Sequence, residues 1–455
     1  MMQRGALDVL AGELEALHHG EQATIDRVVI DSRQARPGDL FVALTGERRD
    51  GHDFVAAAAE LGAAAALVER RQPVALPQLV VADSRRALAQ LGAWNRRAFG
   101  GPLVAVTGSA GKTSCKDMLA AVLARTGPVL ATRGNFNNEL GLPLTLLELA
   151  PEHRHAVVEM GAARAGDIAW LCRQARPGVG LLTNALPAHL QGMGDVAAVA
   201  ATKGELLEAL PEDGVAILPR DSRWWSRWLD QAGATKVLSF SATDARADVH
   251  ARNLDHRGLE GSQFELVLQG SAVAVTLALP GAHQVANACA AAAAALALGV
   301  APATIAAGLA DLRPTGGRLV PHRLADGRLL IDDSYNANPG AVEAAIEVLA
   351  GCPGRRVLLL GEMAELGDSG PDWHRKMGAR AAARGIDGLW AVGPSADHTA
   401  AGFGPDARPF DDQAALMTAL PELEGDVILI KGSRSAAMER IVSALGAITG
   451  PEGSH

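Results

Sequence analysis

Residues 103–113, LVAVTGSAGKT, place a glycine-rich turn between a short apolar run and a helix-forming stretch. This strand–turn–helix unit favours an α/β fold, and the unpaired N–H groups at the start of the helix can bind phosphate. The turn departs from the common pattern G-x-x-x-x-G-K-[ST], because Val106 stands where the first glycine is expected. We predict a nucleotide-phosphate loop one turn shorter than that pattern; the alternative is an ordinary glycine-rich turn.

The residue types in this loop suit phosphate and metal binding. Gly108 and Gly111 allow the backbone amides to face inward. Lys112 supplies a cation for terminal phosphates, and Thr113 supplies a hydroxyl for Mg²⁺. The loop therefore predicts a site for a nucleotide together with its metal ion.

Short apolar runs separated by helical stretches recur along the chain. Such runs are typical of parallel strands that are buried on both faces of a sheet. The length of 455 residues suits about three domains at ~150 residues each. We predict the α/β class, with a small N-terminal α/β domain at 1–98, a central parallel-sheet domain of P-loop type at 99–311 and a C-terminal Rossmann-like domain at 312–455.

Composition argues against several classes of function. The net charge of −9 argues against nucleic acid as a partner, because phosphate backbones bind surfaces rich in Lys and Arg. The four cysteines lack metal-ligand spacing, which indicates buried thiols in a reducing cytosol. The uncharged stretch 285–310 is long enough to span a bilayer, but Gly299 and Pro302 divide it into two short helices. We expect no membrane span and a cytoplasmic location.

Polar side chains at strand ends are candidates for the site, because ligands bind at the carboxyl ends of strands in open α/β sheets. Glu159 ends the run HAVVE, where a buried carboxylate needs a partner such as Mg²⁺; capping of a neighbouring helix is the alternative. His189 follows another strand and turn, and on the residues alone a structural role is the simpler interpretation. Lys203, in AAVAATKGELLEAL, has the pattern of an ordinary exposed lysine.

Two clusters in the last third of the chain suit a polar or anionic ligand. The segment LIDDSYNANPGAV gathers polar side chains at a strand end, and LIKGSRS places cations around a Gly-Ser turn. The alternatives are a capped strand–helix turn and a solvated basic turn. The candidate residues are Asp333, Tyr335, Asn336, Asn338, Lys431, Ser433 and Arg434.

Together these segments resemble the ATP-dependent Mur ligase family over essentially the whole chain. The segment DSRQARPGDLFVALTGERRDGHDFV is similar to the uridine-nucleotide domain of that family, while DDSYNANP and NFNNELGLPLTLL are similar to its D-alanyl-D-alanine-adding branch. The motifs that occur in the family's order are TGSAGKT, TRGNFNNELGLPLTLL, VVEMGAARAGDI, TNALPAHLQGMG, KGELL, DDSYNANP, GEMAELG and KGSRS.

The resemblance implies an amide-forming reaction. ATP would phosphorylate the terminal carboxylate of UDP-N-acetylmuramoyl-tripeptide, and the amine of D-alanyl-D-alanine would displace phosphate from the acyl phosphate to give a peptidoglycan precursor. The implied cofactors are ATP and Mg²⁺, and the implied partners are these two substrates. Because an acyl phosphate hydrolyses easily, domains that close over the nucleotide and exclude water suit this chemistry. We expect a monomer.

The resemblance also implies roles for individual residues. Lys203 matches the position that is carbamylated in the family, where the carbamate turns a cation into an anionic metal-site group. The implied catalytic residues are Lys112, Glu159, His189 and Lys203. The implied Mg²⁺ positions are Thr113, Glu159, His189 and, if carbamylated, Lys203. The implied ATP positions are Thr107, Gly108, Ser109, Ala110, Gly111, Lys112, Thr113, Asn287, Arg318 and Asp333. The implied substrate positions are Ser32, Arg33, Thr45, Gly46, Asp50 and His52 in the uridine region, Asn137 and Asn138 in the muramoyl region, and Tyr335, Asn336, Asn338, Lys431, Ser433 and Arg434.

Two departures from the family pattern are visible. The segment that commonly reads G-x-H-N-x-x-N has His283 followed by Gln284, although Asn287 is intact. The turn TNALPAH carries Ala185-Leu186-Pro187 where Ile and Gly are usual, which puts the conformation of the turn before His189 in doubt.

Several alternative functions remain at this point. Third-residue-adding Mur ligases and folylpolyglutamate-type ligases are the nearest; DDSYNANP argues against both, and the DNPR segment of the former is missing from the sequence. An ATP-driven switch or motor would turn over ATP without co-substrates. A non-catalytic uridine-nucleotide-binding protein would not need Lys112 and Glu159. The sequence leaves open whether the tripeptide ends in L-lysine or meso-diaminopimelate.

Overall fold

The computed structural model describes residues 5–46, 49–314 and 316–446. Residues 47–48, which belong to the predicted uridine segment 45–52, lie outside the described residues, as do 1–4, 315 and 447–455. The described strands form three large sheets, one within each of the ranges 1–98, 99–311 and 312–455. The predicted α/β class is confirmed, while the exact domain limits remain predictions.

The first unit is a five-stranded sheet covered by helices. Its order is β2-β7-β6-β5-β4, and all neighbours are parallel except β2 and β7. Its longest helix, α3, begins where the Asp83 carboxylate accepts the Arg85 and Arg86 N–H groups, as helix caps do. The elements are β1 (Gly5–Ala6), α1 (Leu7–Leu14), β2 (Leu17–His19), β3 (Thr24–Ile25), β4 (Arg27–Val29), β5 (Asp39–Val42), α2 (Val55–Glu60), β6 (Ala65–Val68), β7 (Gln78–Val80) and α3 (Ser84–Ala98), with 3₁₀ helices at Ser32–Gln34 and Gly51–Phe54.

The central unit is a nine-stranded sheet in the order β16-β15-β14-β13-β12-β11-β8-β10-β9. Strands β9 to β14 and β8 are parallel, whereas β15 and β16 continue the sheet antiparallel. Because β8 lies between β10 and β11, the loops that follow these three strands meet at one edge of the sheet. The strands are β8 (Leu103–Thr107), β9 (Val129–Ala131), β10 (His155–Glu159), β11 (Val179–Leu182), β12 (Val215–Pro219), β13 (Lys236–Ser241), β14 (Val249–His256), β15 (Ser262–Leu268) and β16 (Ser271–Leu277).

The helices of the central unit include an alanine-rich helix, α10, in the core. Ala288 and every residue from 290 to 295 have no exposed surface, and α10 packs on α4 and on the sheet. Small side chains allow this close approach. The helices are α4 (Lys112–Ala124), α5 (Gly141–Leu147), α6 (Asp167–Ala175), α7 (Leu190–Met193), α8 (Val196–Glu208), α9 (Trp225–Ala232), α10 (His283–Ala297) and α11 (Pro302–Ala310), with a 3₁₀ helix at Gly258–Glu260.

The C-terminal unit is a six-stranded sheet in the order β17-β18-β22-β19-β20-β21. It is parallel except for the edge strand β17. The elements are β17 (Val320–Arg323), β18 (Leu329–Asp333), α12 (Pro339–Ala350), β19 (Arg356–Leu360), α13 (Gly370–Ala383), β20 (Gly388–Val392), α14 (Ala396–Phe403), β21 (Ala407–Phe410), α15 (Gln413–Ala419), β22 (Val427–Lys431) and α16 (Glu439–Ala444), with 3₁₀ helices at Gly367–Ser369, Leu420–Glu422 and Arg434–Ala436.

The uncharged stretch 285–310 divides as predicted. Helix α10 ends at Ala297, Gly299 adopts a φ of +76°, and Pro302 is the first residue of α11. Across the described parts of the chain, no helix combines the length and the apolar character needed to cross a membrane.

Candidate active site

A cavity of about 1730 Å³ opens where the three units meet. The N-terminal unit contributes Arg85 and Arg86, the central unit contributes the loop after β8 together with Glu159, and the C-terminal unit contributes Lys431. Residues that are far apart in the sequence therefore face one space, which is deep enough for a large ligand.

The loop after β8 has a backbone that requires its two glycines. Gly108 has a φ of +148°, and a Cβ atom there would lie 1.9 Å from Thr183 Oγ1. Gly111 has a φ of +80°, and a Cβ atom there would lie 2.5 Å from Asn287 Oδ1. Positive φ values are open to glycine at little cost, which explains both residues. Helix α4 begins immediately afterwards at Lys112, so its first N–H groups face the cavity rim.

Hydrogen bonds to the neighbouring strand ends hold this loop in place. The Thr107 hydroxyl donates to the Met160 carbonyl at 2.9 Å. The Ser109 hydroxyl donates to the Leu186 carbonyl and accepts from the Leu186 N–H, both at 3.0 Å. The Ala110 N–H donates to Asn184 Oδ1 at 3.0 Å. The unusual Ala185-Leu186-Pro187 turn thus has a defined conformation, because its backbone pairs with the phosphate loop.

Lys112 folds back over the loop. Its Nζ donates to the Gly108 carbonyl at 2.9 Å, and the residue lines the cavity. Burial lowers the pKa of Lys112 below its ordinary value; Glu159 opposes this effect and Arg318 adds to it. An ammonium group held in this position is well placed to meet an anionic ligand.

Glu159 is the centre of a polar network. Its Oε2 accepts from the Thr113 hydroxyl at 2.7 Å, and its Oε1 accepts from Asn137 Nδ2 at 2.8 Å. Arg318 of the C-terminal unit donates to the same Thr113 hydroxyl at 2.9 Å. The carboxylate is 3% exposed, so these contacts answer the need for a partner that its position at the end of β10 predicts.

Lys203 contradicts the exposed-lysine interpretation. It is 1% exposed on helix α8, and its Nζ is a buried atom without a hydrogen-bond partner among the described residues. Burial, with a smaller contribution from the nearby Lys112, lowers the pKa of Lys203 to about 7 against the opposing effects of Asp167, Glu205 and Glu159. The sequence of α8 does not indicate this burial. Alanines occur on several sides of the helix, so the sequence does not distinguish a buried face from an exposed one.

His189 lies at the cavity and is paired with a residue of the C-terminal unit. Its Nδ1 forms an ion-pair contact with Glu365 Oε2, and both residues line the cavity. The contact with His189 lowers the pKa of Glu365. His189 thus lies beside a carboxylate of the C-terminal unit, and its role as a metal ligand stays a prediction.

Asp333 and Lys431 form a buried pair on adjacent strands. They are register partners in β18 and β22, and Lys431 Nζ donates to Asp333 Oδ2 at 2.6 Å and to the Asn336 carbonyl at 2.9 Å. Burial raises the pKa of Asp333, although Lys431 opposes this effect. The pair fixes the turn that carries Tyr335 and Asn338.

The turn after β18 connects to the phosphate loop. The Arg318 guanidinium stacks 4.1 Å above the centre of the Tyr335 ring. Asn338 caps α12 by accepting the Ala341 N–H at 2.9 Å, and its Nδ2 donates to the Ser109 carbonyl at 3.3 Å. The C-terminal unit therefore contacts the loop at Ser109 as well as at Thr113.

Asn287 lies beside the loop and is held by its neighbours. Its Nδ2 donates to Gln284 Oε1 at 2.9 Å, and both side chains are buried at the cavity wall. Gln284, which stands where the family has Asn, therefore supports Asn287 directly.

The predicted uridine residues lie in the first unit and do not line the cavity. Asp50 Oδ1 pairs with His52 Nδ1 at 2.6 Å, and Arg70, more than His52, holds the pKa of Asp50 well below its usual range. His52 Nε2 accepts the Glu69 N–H at 2.8 Å, and the residue is 3% exposed. With both ring nitrogens engaged, His52 stabilises the turn, and its assignment as a substrate contact stays a prediction.

The donor set near Glu159 is suited to Mg²⁺. Within residues 5–46, 49–314 and 316–446, no three His, Cys, Asp or Glu side chains gather as a ready metal site. Mg²⁺ takes oxygen ligands and keeps several waters. The Thr113 hydroxyl and the Glu159 carboxylate could therefore bind it together with waters and phosphate oxygens. The buried Nζ of Lys203 has no hydrogen-bond partner among the described residues. A carbamate formed on this atom would supply two oxygens as metal ligands.

Three family models match the chain in order. They are described as the Mur ligase family catalytic domain at 24–98, the Mur ligase middle domain at 106–295 and the Mur ligase glutamate ligase domain at 317–434. The UDP-N-acetylmuramoyl-tripeptide–D-alanyl-D-alanine ligase of Escherichia coli (strain K12) is 47% identical over 444 residues, which cover 96% of each chain. The chain belongs to the Mur ligase family.

Solved structures of other Mur ligases are similar over nearly the whole chain. MurF from Acinetobacter baumannii has a TM-score of 0.92 and 36% identity, covering 98% of this chain and 99% of that chain. The MurF ligase from Thermotoga maritima, solved in complex with ADP, has a TM-score of 0.80 and 31% identity, covering 92% and 96%. The resemblance to the D-alanyl-D-alanine-adding branch of the Mur ligases is confirmed.

The cavity of this Mur ligase gathers most of the residues predicted from the motifs. Those that line it are Ser109, Ala110, Gly111, Lys112, Thr113, Asn137, Asn138, Glu159, His189, Asn287, Arg318, Asp333, Tyr335, Asn336, Asn338, Lys431, Ser433 and Arg434. Those that lie behind the lining or away from it are Thr107, Gly108, Lys203, Ser32, Arg33, Thr45, Gly46, Asp50 and His52.

Three kinds of lining residue in this Mur ligase escaped the sequence reasoning. Arg85 and Arg86 lie in the first turn of α3, and their run predicted only a helix. Asp167 begins α6 inside the motif VVEMGAARAGDI, in which only Glu159 was predicted as a site residue. Glu365 lies within GEMAELG, a motif that supported the resemblance without any assigned residue.

Proposed function

We propose that the chain is an ATP-dependent ligase that joins D-alanyl-D-alanine to UDP-N-acetylmuramoyl-tripeptide. The product is the UDP-muramoyl-pentapeptide precursor of peptidoglycan. The observation that carries the proposal is the shared cavity, in which the phosphate loop and Glu159 face Arg318 and Lys431 of another unit. The names of the relatives at up to 47% identity over the full length support the same substrates.

The proposed reaction has two steps. The terminal carboxylate of the tripeptide attacks the γ-phosphorus of ATP, and ADP leaves. The amine of D-alanyl-D-alanine then attacks the carbonyl carbon of the acyl phosphate, phosphate leaves and the amine loses a proton. Lys112 stabilises charge on the transferred phosphoryl group, because preorganised cations act on charge that develops in the transition state.

The remaining nucleotide contacts divide between two units. The loop from Thr107 to Thr113 holds the phosphates, while Asn287 with its partner Gln284 lies in position to contact the base. Arg318 and Asp333 reach the nucleotide from the C-terminal unit. Arg318 donates to the Thr113 hydroxyl in the structure. Its guanidinium is therefore within reach of a phosphate bound at the loop.

Thr113, Glu159, His189 and carbamylated Lys203 would hold Mg²⁺, which neutralises charge on the phosphates when bound. The chemistry of Lys203 supports the carbamate. Its buried Nζ has a pKa of about 7, so a large part of the amine is unprotonated near neutral pH and can add CO₂ with loss of a proton. The carbamate then replaces a buried cation beside Lys112 by an anion.

The substrate peptide would cross the cavity from the first unit to the third. We place the uridine at the turn that includes Ser32, Thr45, Gly46 and Asp50, with Arg33 at its exposed edge, and the muramoyl group near Asn137 and Asn138. Tyr335, Asn336 and Asn338, with Lys431, Ser433 and Arg434, would receive the peptide and D-alanyl-D-alanine. We also propose a cytoplasmic monomer; light scattering and cell fractionation test these two points.

Phosphate release tests the proposed function. The purified chain is mixed with ATP, Mg²⁺ and UDP-muramoyl-tripeptide that ends in either L-lysine or meso-diaminopimelate, with and without D-alanyl-D-alanine. We expect phosphate release and a pentapeptide mass only when both co-substrates are present. ATP turnover without them would instead indicate a switch or motor, and product formation with a third-residue amino acid or a folate in place of D-alanyl-D-alanine would indicate the related ligases.

A further inference from the structure

Glu365 connects the C-terminal unit to the cavity edge of the central unit. Besides the contact between its carboxylate and His189 Nδ1, its carbonyl accepts the Gln191 N–H at 3.3 Å. The carboxylate side chain is 58% exposed and the His189 side chain 31% exposed, so the contact lies at the mouth of the cavity and outside the core. Side chain and backbone together join the two segments.

Both partners of this contact have strained backbones. His189 has a φ of 54° and Glu365 a φ of 64°, and non-glycine residues adopt this left-handed region rarely. Residues held in such conformations persist only where the surroundings impose them, and they cluster at functional sites. Two strained residues that face each other across a unit boundary indicate a geometry kept for a purpose.

The loop that carries Glu365 is itself firmly anchored. The backbone carbonyl of Glu362 accepts the Ser433 N–H at 2.8 Å, and the side-chain carboxylate of Glu362 accepts the Ser395 N–H at 3.1 Å. The Met363 N–H donates to Nε2 of the buried His374 at 3.0 Å. These hydrogen bonds hold the loop on the C-terminal unit, and Glu365 of this loop contacts His189.

Histidine uses one ring nitrogen for a metal and commonly donates the other to a carboxylate, which fixes the tautomer and the ring orientation. We propose that Glu365 is a positioning residue of the phosphoryl-transfer site, which holds the His189 imidazole by Nδ1 and leaves Nε2 as its metal-binding nitrogen. This inference rests on the proposed function, in which His189 serves Mg²⁺. Since Glu365 belongs to the C-terminal unit, the metal site is complete only when that unit is docked on the central one.

Mn²⁺ binding tests the inference on the full chain. Electron paramagnetic resonance titrations with a non-hydrolysable ATP analogue compare wild type, Glu365→Ala, Glu365→Gln, His189→Ala and the double variant His189→Ala/Glu365→Ala. Loss of a ligand-orienting carboxylate typically weakens metal affinity about 10–100-fold, and we expect this for Glu365→Ala. Glu365→Gln keeps an acceptor oxygen and should lose less. Asp368→Ala, an exposed acidic residue of the same loop, is the matched control and should bind Mn²⁺ as wild type does.

The double variant separates positioning from a general structural role. If Glu365 acts through His189, Glu365→Ala should weaken Mn²⁺ binding less than twofold in the His189→Ala background. Equal losses in both backgrounds, or an unchanged affinity in Glu365→Ala, would overturn the inference. If His189→Ala also binds Mn²⁺ normally, the metal role of His189 and this inference fall together, whereas pentapeptide formation by wild type would still support the ligase function.

Discussion

Lys112 lines the cavity, and the buried Lys203 lies near enough for the two amines to affect each other. Lys112 adds to the effect of burial in lowering the pKa of Lys203, so the two ammonium groups disfavour each other. A carbamate on Lys203 would turn this repulsion into attraction. The charges around Lys203 are therefore consistent with the proposed modification.

The first residue-scale prediction concerns Lys112. Lys112→Ala should lower kcat about 10²–10³-fold, because removal of one preorganised group that stabilises transition-state charge costs roughly this much. Steady-state phosphate release measures the change. Lys236→Ala, which removes an exposed lysine at the start of β13, should leave kcat unaltered. Turnover of Lys112→Ala within threefold of wild type would remove the loop lysine from the mechanism.

The second prediction concerns Lys203. Lys203→Ala should be nearly inactive and partly restored by a short carboxylate in the buffer, whereas Lys203→Arg should stay inactive because it keeps a cation that cannot be carbamylated. Wild type should lose activity after prolonged degassing at mildly acidic pH and regain it with bicarbonate. Near-wild-type turnover of Lys203→Arg would contradict the carbamate.

Individual residues differed in how well the sequence predicted them. Glu159 was predictable, because a carboxylate that ends an apolar run must find a partner. Lys203 was not, because its burial depends on helices that pack around an alanine-rich surface. The burial of His52 and its contact with Asp50 were not predictable either, since a histidine that faces a ligand and one that pairs with Asp50 have the same sequence.

At the scale of elements, the start of α12 has two functions. Asn338 Oδ1 caps the helix, while Nδ2 reaches the Ser109 carbonyl of the phosphate loop. One side chain thus ties the first turn of a C-terminal helix to the nucleotide loop of the central unit.

The third prediction separates these two functions. Asn338→Ala should lose about 1 kcal/mol of local stability, the usual value of a cap, so the Ala341 amide should exchange hydrogen about fivefold faster. Asn338→Ser keeps a capping oxygen and should restore the exchange rate. Both variants lack the amide that donates to Ser109, so we expect both to have a raised KM for ATP. Equal exchange in Ala and Ser variants would argue against capping.

Elements with strong patterns were predicted and the others were not. The runs LVAVT, HAVVE and VILIK are strands, as their continuous apolar character indicates. The antiparallel extension β14 to β16 was not predicted, because β14 reads VHARNLDH and exposes Arg252, Asn253, Asp255 and His256. Tertiary pairing, more than local preference, makes that segment a strand.

At the scale of the whole molecule, the first unit shares its core with the central one. Asn95 of α3 donates to the Leu146 and Leu149 carbonyls at 2.8 and 2.9 Å, and Leu147 belongs to the same apolar cluster as Leu88. Units that the sequence separates cleanly at residue 98 therefore support each other, which no local pattern could reveal.

The fourth prediction tests how the units divide the ligands. A fragment of residues 1–98 should bind the UDP-sugar peptide and not ATP, since the phosphate loop lies beyond its end. Circular dichroism first checks that the fragment is folded, because Asn95 loses both carbonyl partners there; calorimetry then measures binding. ATP binding by the folded fragment, or failure to bind the UDP ligand, would contradict the proposed division.

Tyr335 is the sole tyrosine of the 455 residues, and it stacks beneath Arg318 at the cavity between the units. A single fluorinated tyrosine incorporated during growth would therefore give one ¹⁹F resonance, already assigned without mutagenesis. Its chemical shift depends on the guanidinium above the ring, so the signal reports whether Arg318 stays on the ring or leaves it. The chain thus carries its own spectroscopic label for the position of the Arg318 side chain.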